Sequence, residues 1–143
     1  MKIFHEINII LKALPPDRQE IIKECVQILV DKGVVKQEYL EDMREHEKLV
    51  STYIGNNVAI PHGLSNSGES IIHSGLSLVQ VPEGVSFGDD KTAYLVIGIA
   101  GKDGQHLEML SQVAQVLLDM DNVNAIKNAK TEKEILDIFR AVV

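Results

Sequence analysis

The histidines are the residues of this chain best suited to chemistry, and one of them has a distinctive setting. His62 follows the short apolar run Val58 to Ile60 and Pro61, and it is followed by Gly63. The run is too short for a helix, and proline cannot continue a central strand because it has no N–H group. We therefore predict that a buried strand ends here and presents His62 at its tip, within the stretch Gly55 to Gly63.

His106 lies in a comparable setting. It follows the apolar run Ala93 to Ala100 and a glycine-containing loop, and it falls in the first turn of a helix predicted from about Gln105 to Met120. The N-terminus of a helix presents free N–H groups and a partial positive charge, which suit an anion. Because α/β folds place ligands at the carboxyl edge of the sheet, the two histidines could converge on one pocket.

Several classes of chemistry lack their sequence signals. A metal site would need a third ligand and a spacing such as His-x-x-x-His or a cysteine pair, and a serine hydrolase would need a Gly-x-Ser-x-Gly turn. The sequence has no phosphate-binding Gly-x-x-x-x-Gly-Lys loop and no dinucleotide fingerprint, so we expect no metal and no cofactor. What remains is histidine as a nucleophile that attacks phosphorus, which requires positioning and charge stabilisation.

Composition narrows the class of protein. The 143 residues suffice for one domain, predicted to span 1–143, and 45% hydrophobic with 24% charged residues is typical of a soluble globular protein. The net charge of -7 argues against a nucleic-acid partner. Cys25 is the only cysteine, so no internal disulfide can form, and we interpret it as an inert core residue. The longest apolar stretch is far shorter than the roughly 20 residues of a membrane span, and no signal peptide is evident, so we predict a cytoplasmic protein.

The first half of the chain predicts a strand or extended segment over Ile7 to Leu11 and then two helices. The first helix begins at Pro15-Pro16-Asp17 and ends near Gly33, and the second runs from about Gln37 to Lys48. The inward residues of the first are Ile21, Ile22, Cys25, Val26, Ile28 and Leu29. Those of the second are Tyr39, Leu40 and Met43.

The second half predicts two strands and three helices. A partly alternating strand covers Ile71 to Val81, a turn follows at Pro82 to Gly84, and Ala93 to Ala100 is a central strand buried on both faces. The last helix begins at a capping box that starts with Thr131. The helix predicted from about Gln105 to Met120 has an inward face that contains Leu107, Leu110, Val113, Ala114 and Leu117. The whole pattern predicts an α/β layer architecture in one compact domain.

The sequence around His62 resembles that of a known protein family. The stretch Glu45 to Gly63, with the block Ala-Ile-Pro-His ending at His62, resembles the active-site signature of the IIA components of the mannitol/fructose class of the sugar phosphotransferase system. The segments 82–88 and 94–107 look closest to the mannitol branch. The resemblance implies a small mixed β-sheet flanked by helices on both sides. It also implies that His62 accepts a phosphoryl group from the phosphocarrier HPr and passes it to a cysteine of a IIB component, with His106 binding or steering the phosphate.

One position departs from the resemblance. The family usually carries an arginine sixteen residues before the active histidine, and this chain has His46 there. Three explanations compete: His46 stabilises the phosphate when protonated, Arg44 reaches in instead, or transfer is impaired. Each residue turns a helix by about 100°, so Arg44 points roughly 200° away, and we favour His46 facing the pocket.

Two functions follow from the resemblance. The first is a phosphocarrier for uptake of a sugar alcohol, mannitol by resemblance, with HPr, IIB and a membrane IIC transporter as separate chains. The second is a sensor of the same fold, whose phosphorylation state reports sugar flux and whose onward transfer is slow. A metal-dependent hydrolase that uses His62 and His106 is a third interpretation. His5 and His73 are interpreted as surface or structural residues, His73 within a strand.

Overall fold

The computed structural model describes residues 8–14, 17–63 and 67–142. A five-stranded sheet runs through the middle of the molecule, and its strands occur in the spatial order β1-β4-β5-β3-β2. The strands are β1 (Asn8–Ile10), β2 (Tyr53–Gly55), β3 (Val58–Ala59), β4 (Gly75–Ser86) and β5 (Thr92–Ala100). The helices are α1 (Arg18–Asp31), α2 (Tyr39–Leu49), α3 (His106–Leu117), α4 (Met120–Lys127) and α5 (Glu132–Val142), with a short 3₁₀ helix at Ser67–Ser70.

The central strand β5 organises the sheet. It pairs antiparallel with β4 and parallel with β3, and so the sheet is mixed. Its side chains alternate between two apolar clusters: Val96 and Ala100 pack with residues of α1 and α2, whereas Leu95, Ile97 and Ile99 pack with residues of α3, α4 and α5. The predicted α/β fold, with helices on both faces of a small mixed sheet, is therefore confirmed, as is the central position of this strand.

The first helix begins and ends at the predicted signals. The Asp17 side chain accepts a hydrogen bond from the Glu20 N–H group at 3.0 Å, which caps α1, and Gly33 takes a left-handed conformation just after its end. In α2 the predicted inward residues are buried. In α1 the predicted inward residues are buried except Ile28, which is half-buried, and Pro15 and Pro16 lie outside the described residues.

The predicted turn at Pro82 to Gly84 is wrong, because β4 continues through it to Ser86. Between Gln80 and Val85 the register shifts, so that five residue steps in β4 oppose two in β5. The extra residues form an irregularity within the strand, and Gly84 adopts a φ of 81° there. The start of this strand also differs from the prediction: it begins at Gly75, and Ile71 forms only a single bridge with Val35.

The inward face of α3 is also corrected. Leu107 is 75% exposed, whereas Met109, Val113, Val116 and Leu117 are buried. Leu107 and Met109 are two residues apart and therefore about 200° apart around the helix, so both cannot face the core. The apolar character of Leu107 suggested an inward position, but the buried face of α3 begins at Met109.

Two further predictions for this half concern Thr131 and His73. Thr131 caps α5 through its hydroxyl, which accepts the Glu134 N–H group at 3.2 Å. His73 is exposed, as predicted, but it precedes β4 instead of lying in a strand. His5 lies outside the described residues. Within the described ranges, no helix has the length and apolar character that crossing a membrane requires.

Candidate active site

His62 lies at the tip of a strand, as the sequence predicts. The residues before it, Val58 to Pro61, are buried, and β3 runs parallel to β5. His62 itself pairs with Ile99 through a parallel bridge, in which the Ile99 N–H group donates to the Pro61 carbonyl at 3.0 Å. The nucleophile candidate therefore lies beside the central strand, at the carboxyl end of β5.

The ring of His62 is held in one tautomer. Its Nδ1 atom lies 2.7 Å from the Ile60 carbonyl oxygen, and because a carbonyl can only accept, Nδ1 carries the hydrogen. This leaves the lone pair on Nε2. Burial lowers the pKa of His62 to about 4, the hydrogen bond to Ile60 opposes this, and positive charge on the neighbouring histidines lowers it further. The imidazole is thus neutral and nucleophilic at neutral pH.

His106 reaches the same pocket from the start of α3. The centroids of the His62 and His106 rings are 4.9 Å apart, with the rings inclined at 60°. Gly101 permits this approach, because a Cβ atom there would lie 2.4 Å from the Cα atom of His106. Burial lowers the pKa of His106, and the nearby charge of His46 contributes to the same shift.

His46 lies in the last turn of α2 and completes the group. Its ring centroid is 4.4 Å from that of His62, and its Nδ1 atom donates to the His62 carbonyl oxygen at 3.0 Å. The side chain therefore faces the pocket, as favoured from helix geometry. The half-buried Arg44 instead contacts the exposed Glu41, with 3.5 Å between its Nη1 and the glutamate Oε1.

Two supporting residues were not predicted as part of the site. The Tyr39 hydroxyl donates to the Ile99 carbonyl at 2.6 Å and accepts the Gly63 N–H group at 2.9 Å. The sequence marked this residue only as an inward apolar position, because its polar partners are distant in the chain. Burial raises the pKa of Tyr39 to about 12, so it remains a neutral phenol.

The second unpredicted residue is Glu47, which is 7% exposed. Its carboxylate accepts hydrogen bonds from the Thr52 hydroxyl at 2.6 Å and from the Thr52 N–H group at 3.2 Å, and Arg18 lies 3.6 Å away. These bonds tie the end of α2 to the segment that leads into β2. A glutamate followed five residues later by threonine was the available signal, but it does not by itself distinguish a buried acceptor from a solvated one.

The arrangement suits transfer of a charged group to nitrogen. One imidazole offers an unprotonated Nε2, and two others stand beside it at the N-terminus of a helix and the last turn of another. Within residues 8–14, 17–63 and 67–142, no group of three or more His, Cys, Asp or Glu side chains is arranged to hold a metal ion.

Comparisons with known proteins agree with this geometry. Residues 2–142 match the family model described as "Phosphoenolpyruvate-dependent sugar phosphotransferase system, EIIA 2". The mannitol-specific phosphotransferase enzyme IIA component of Geobacillus stearothermophilus is 45% identical over 99% of this chain and 98% of its own length.

Solved structures give the same result. The crystal structure of the mannitol IIA protein of Escherichia coli is 32% identical, covers 92% of this chain and 95% of its own, and superimposes with a TM-score of 0.87. The same type of protein, in a complex with phosphorylated mannitol IIB from Escherichia coli, is 31% identical over 94% of each chain, with a TM-score of 0.89. The chain is thus a phosphotransferase component and belongs to the EIIA type 2 family of the phosphoenolpyruvate-dependent sugar phosphotransferase system.

Proposed function

We propose that this protein is a cytoplasmic phosphocarrier that takes a phosphoryl group from phospho-HPr onto His62 and passes it to a cysteine of a mannitol-type IIB component. The observation that carries the proposal is the unprotonated Nε2 of His62, held at a strand tip between two further imidazoles. The names of the similar proteins, mannitol IIA components and a IIA–IIB complex, support the choice of partner and sugar.

In the first step, the Nε2 lone pair of His62 attacks phosphorus. A bond from nitrogen to phosphorus forms as the bond to the donor breaks, and the donor leaves with its electron pair. The Nδ1 hydrogen stays in its hydrogen bond to the Ile60 carbonyl. Because Nε2 is already unprotonated, no base is needed before it attacks. The product is a phosphohistidine with hydrogen at Nδ1 and the phosphoryl group at Nε2.

Charge stabilisation falls to His106 and His46. His106 lies in the first turn of α3, where the free N–H groups and the partial positive charge of the helix favour an anion. His46 uses Nδ1 on the His62 carbonyl, so its Nε2 atom is the one left to donate when the ring is protonated. A charged donor stabilises the phosphoryl oxygens more strongly than a neutral one, since charge-assisted hydrogen bonds are the stronger ones, and the burial that lowers the pKa of His106 opposes such a charge on that ring.

In the second step, a cysteine thiolate of IIB attacks the phosphorus of phosphohistidine 62. The sulfur–phosphorus bond forms as the nitrogen–phosphorus bond breaks, and His62 returns to its neutral state. The hydrogen on Nδ1 stays in place through both steps, so the carrier is regenerated without proton transfer to solvent. A rigid acceptor suits this cycle because both partners then meet the phosphoryl group in the same geometry.

The experiment that tests the proposal is phosphorylation by labelled phospho-HPr. The wild-type protein should take up one acid-labile phosphate, and His62→Ala should take up none. The matched control is His73→Ala, because His73 is exposed and stands outside the group of three histidines. Phosphate uptake by His62→Ala at the wild-type level would overturn the proposal.

A second measurement addresses onward transfer. The phosphorylated protein mixed with mannitol-type IIB should lose its phosphate to the IIB cysteine within one turnover, and a fructose-type IIB should accept it more slowly. A phosphoprotein that stalls with every IIB protein offered would support the sensor function instead. Cell fractionation should recover the protein in the cytoplasm.

A further inference from the structure

The Tyr39 hydroxyl forms hydrogen bonds with two backbone groups that would normally bond to each other in a parallel sheet. It is the first residue of α2, and it is only 1% exposed. Its hydroxyl donates to the Ile99 carbonyl at 2.6 Å and accepts the Gly63 N–H group at 2.9 Å. A hydroxyl has one hydrogen and can also accept, so both bonds are satisfied together.

The two backbone groups that Tyr39 joins are partners in a regular parallel ladder. His62 pairs with Ile99, and the Ile99 N–H group donates to the Pro61 carbonyl at 3.0 Å. The next bond of such a ladder would run directly from the Gly63 N–H group to the Ile99 carbonyl. The Tyr39 hydroxyl bonds to both of these groups, and it therefore helps to hold the chain after His62 against β5.

The same peptide group is held at its other end by His46. The His62 carbonyl accepts the His46 Nδ1 hydrogen at 3.0 Å, while the Gly63 N–H group of that peptide donates to Tyr39. Residues 39 and 46 are seven apart, or about two turns, and so they lie on one face of α2. Two side chains on one face of α2 thus form hydrogen bonds with the C=O and the N–H group of the peptide that follows His62.

Fixing this peptide plane fixes the backbone of His62. The plane before it is held by the Pro61 carbonyl on Ile99, and the ring is held by Nδ1 on the Ile60 carbonyl. Without an anchor on the plane after His62, coupled changes of φ and ψ at this residue would move the imidazole and redirect Nε2. The Tyr39 hydroxyl itself takes no part in proton transfer, since its one hydrogen is used on Ile99 and burial raises the pKa of this phenol to about 12.

We propose that Tyr39 is a positioning residue for phosphoryl transfer, whose hydroxyl sets the peptide plane after His62 and thereby aims Nε2 at the incoming phosphorus. This inference rests on the proposed function, in which His62 is the phosphoryl acceptor. It predicts that the hydroxyl affects the rate of transfer more than the binding of the donor.

The test is Tyr39→Phe, which keeps the ring and removes only the hydroxyl. Single-turnover phosphorylation by saturating phospho-HPr should slow by about 10- to 100-fold, because a displacement of about 1 Å at a reacting group can cost that much. The donor concentration for half-maximal rate should change by less than about twofold, as Tyr39 is buried away from any partner. A wild-type rate in folded Tyr39→Phe, or a loss confined to donor affinity, would overturn the inference.

The matched control is Tyr53→Phe. Its hydroxyl also donates to a backbone carbonyl, that of Thr92 at 3.3 Å, but near the opposite end of β5. This variant loses a hydroxyl and a hydrogen bond without touching the His62 peptide, and it should transfer phosphate at the wild-type rate. An equal slowing in both variants would assign the effect to lost stability and overturn the positioning role.

Hydrogen exchange in the wild-type protein keeps the inference testable if Tyr39→Phe fails to fold. The Gly63 amide should exchange as slowly as the Ile99 amide, since both belong to the same hydrogen-bonded unit. Exchange of the Gly63 amide at the rate of an exposed loop would overturn the inference. The proposed function fails separately, through a wild-type protein that phospho-HPr does not phosphorylate on His62.

Discussion

At the scale of single residues, the environment of His62 decides its chemistry. Burial lowers its pKa to about 4, below the value of about 6.5 for an unperturbed histidine. The unfolded chain therefore binds a proton on this residue at a higher pH than the folded protein does. Protonation of His62 therefore does not affect the free energy of unfolding above about pH 6.5, and it lowers this free energy progressively as the pH falls toward 4.

This sign gives a prediction for stability. The wild-type free energy of unfolding should decrease between about pH 6.5 and pH 4, and His62→Gln, which cannot titrate, should show a smaller decrease over the same range. Urea unfolding at a series of pH values measures the difference. Equal slopes for the two proteins would contradict the low pKa of His62.

A second prediction concerns His46. Arginine is a permanent cation, whereas the charge of a histidine depends on pH. If a charged His46 stabilises the phosphoryl group, phosphorylation by phospho-HPr should slow as the pH rises. His46→Arg should remove most of this dependence. The measurement is the transfer rate of both proteins from about pH 6 to 9, and an unchanged profile in the variant would argue against the role.

The three histidines show what the sequence could and could not predict at this scale. His62 was predictable from the strand, proline and glycine around it, and the inward direction of His46 followed from helix geometry. The tautomer of His62 and the roles of Tyr39 and Glu47 were not, because each depends on partners brought together by folding. Tyr39 bonds to a residue 60 positions away.

At the scale of elements, the junction between β5 and α3 brings His106 to His62. Gly101 leaves no room for a side chain, since a Cβ atom there would lie 2.4 Å from the His106 Cα and 2.6 Å from its backbone nitrogen. We predict that Gly101→Ala displaces the start of α3, lowers the free energy of unfolding by about 1–3 kcal/mol and slows transfer.

The control for this variant is Gly104→Ala. Gly104 has a φ of 83°, so alanine is strained there by about 1–2 kcal/mol, but its Cβ atom would meet no other atom within 4 Å. This variant should lose stability without slowing transfer to the same degree. Transfer that falls equally in both variants would show that the close approach to His106 is unimportant.

The elements themselves were largely predictable, and the errors have physical causes. Caps at Asp17 and Thr131 marked two helix starts, because a side-chain acceptor there has a recognisable local pattern. The turn predicted at Pro82 to Gly84 failed because proline and glycine also occur at irregularities within a strand, which only the pairing with β5 reveals.

At the scale of the whole molecule, the central strand β5 contributes side chains to two apolar clusters, one on each face of the sheet. Val96 belongs to the cluster with α1 and α2, and its neighbours Leu95 and Ile97 belong to the cluster with α3 to α5. Neither cluster can lose its helices without exposing one face of β5. We therefore propose that residues 1–143 form one cooperative domain.

This proposal predicts a single unfolding transition. Denaturation followed by far-ultraviolet circular dichroism and by tyrosine fluorescence should give coincident curves, since the chain has three tyrosines and no tryptophan. Two separated transitions would contradict a single domain and would imply that the helices of one face dissociate first.

Nitrogen-15 NMR of the histidine rings after phosphorylation by phospho-HPr shows whether the Nε2 atom of His62 carries the phosphoryl group. We expect one ring to change, that of His62, with phosphorus bonded to Nε2 and the hydrogen still on Nδ1. Phosphorus on Nδ1 of His62, or on the ring of His106 or His46, would contradict this expectation.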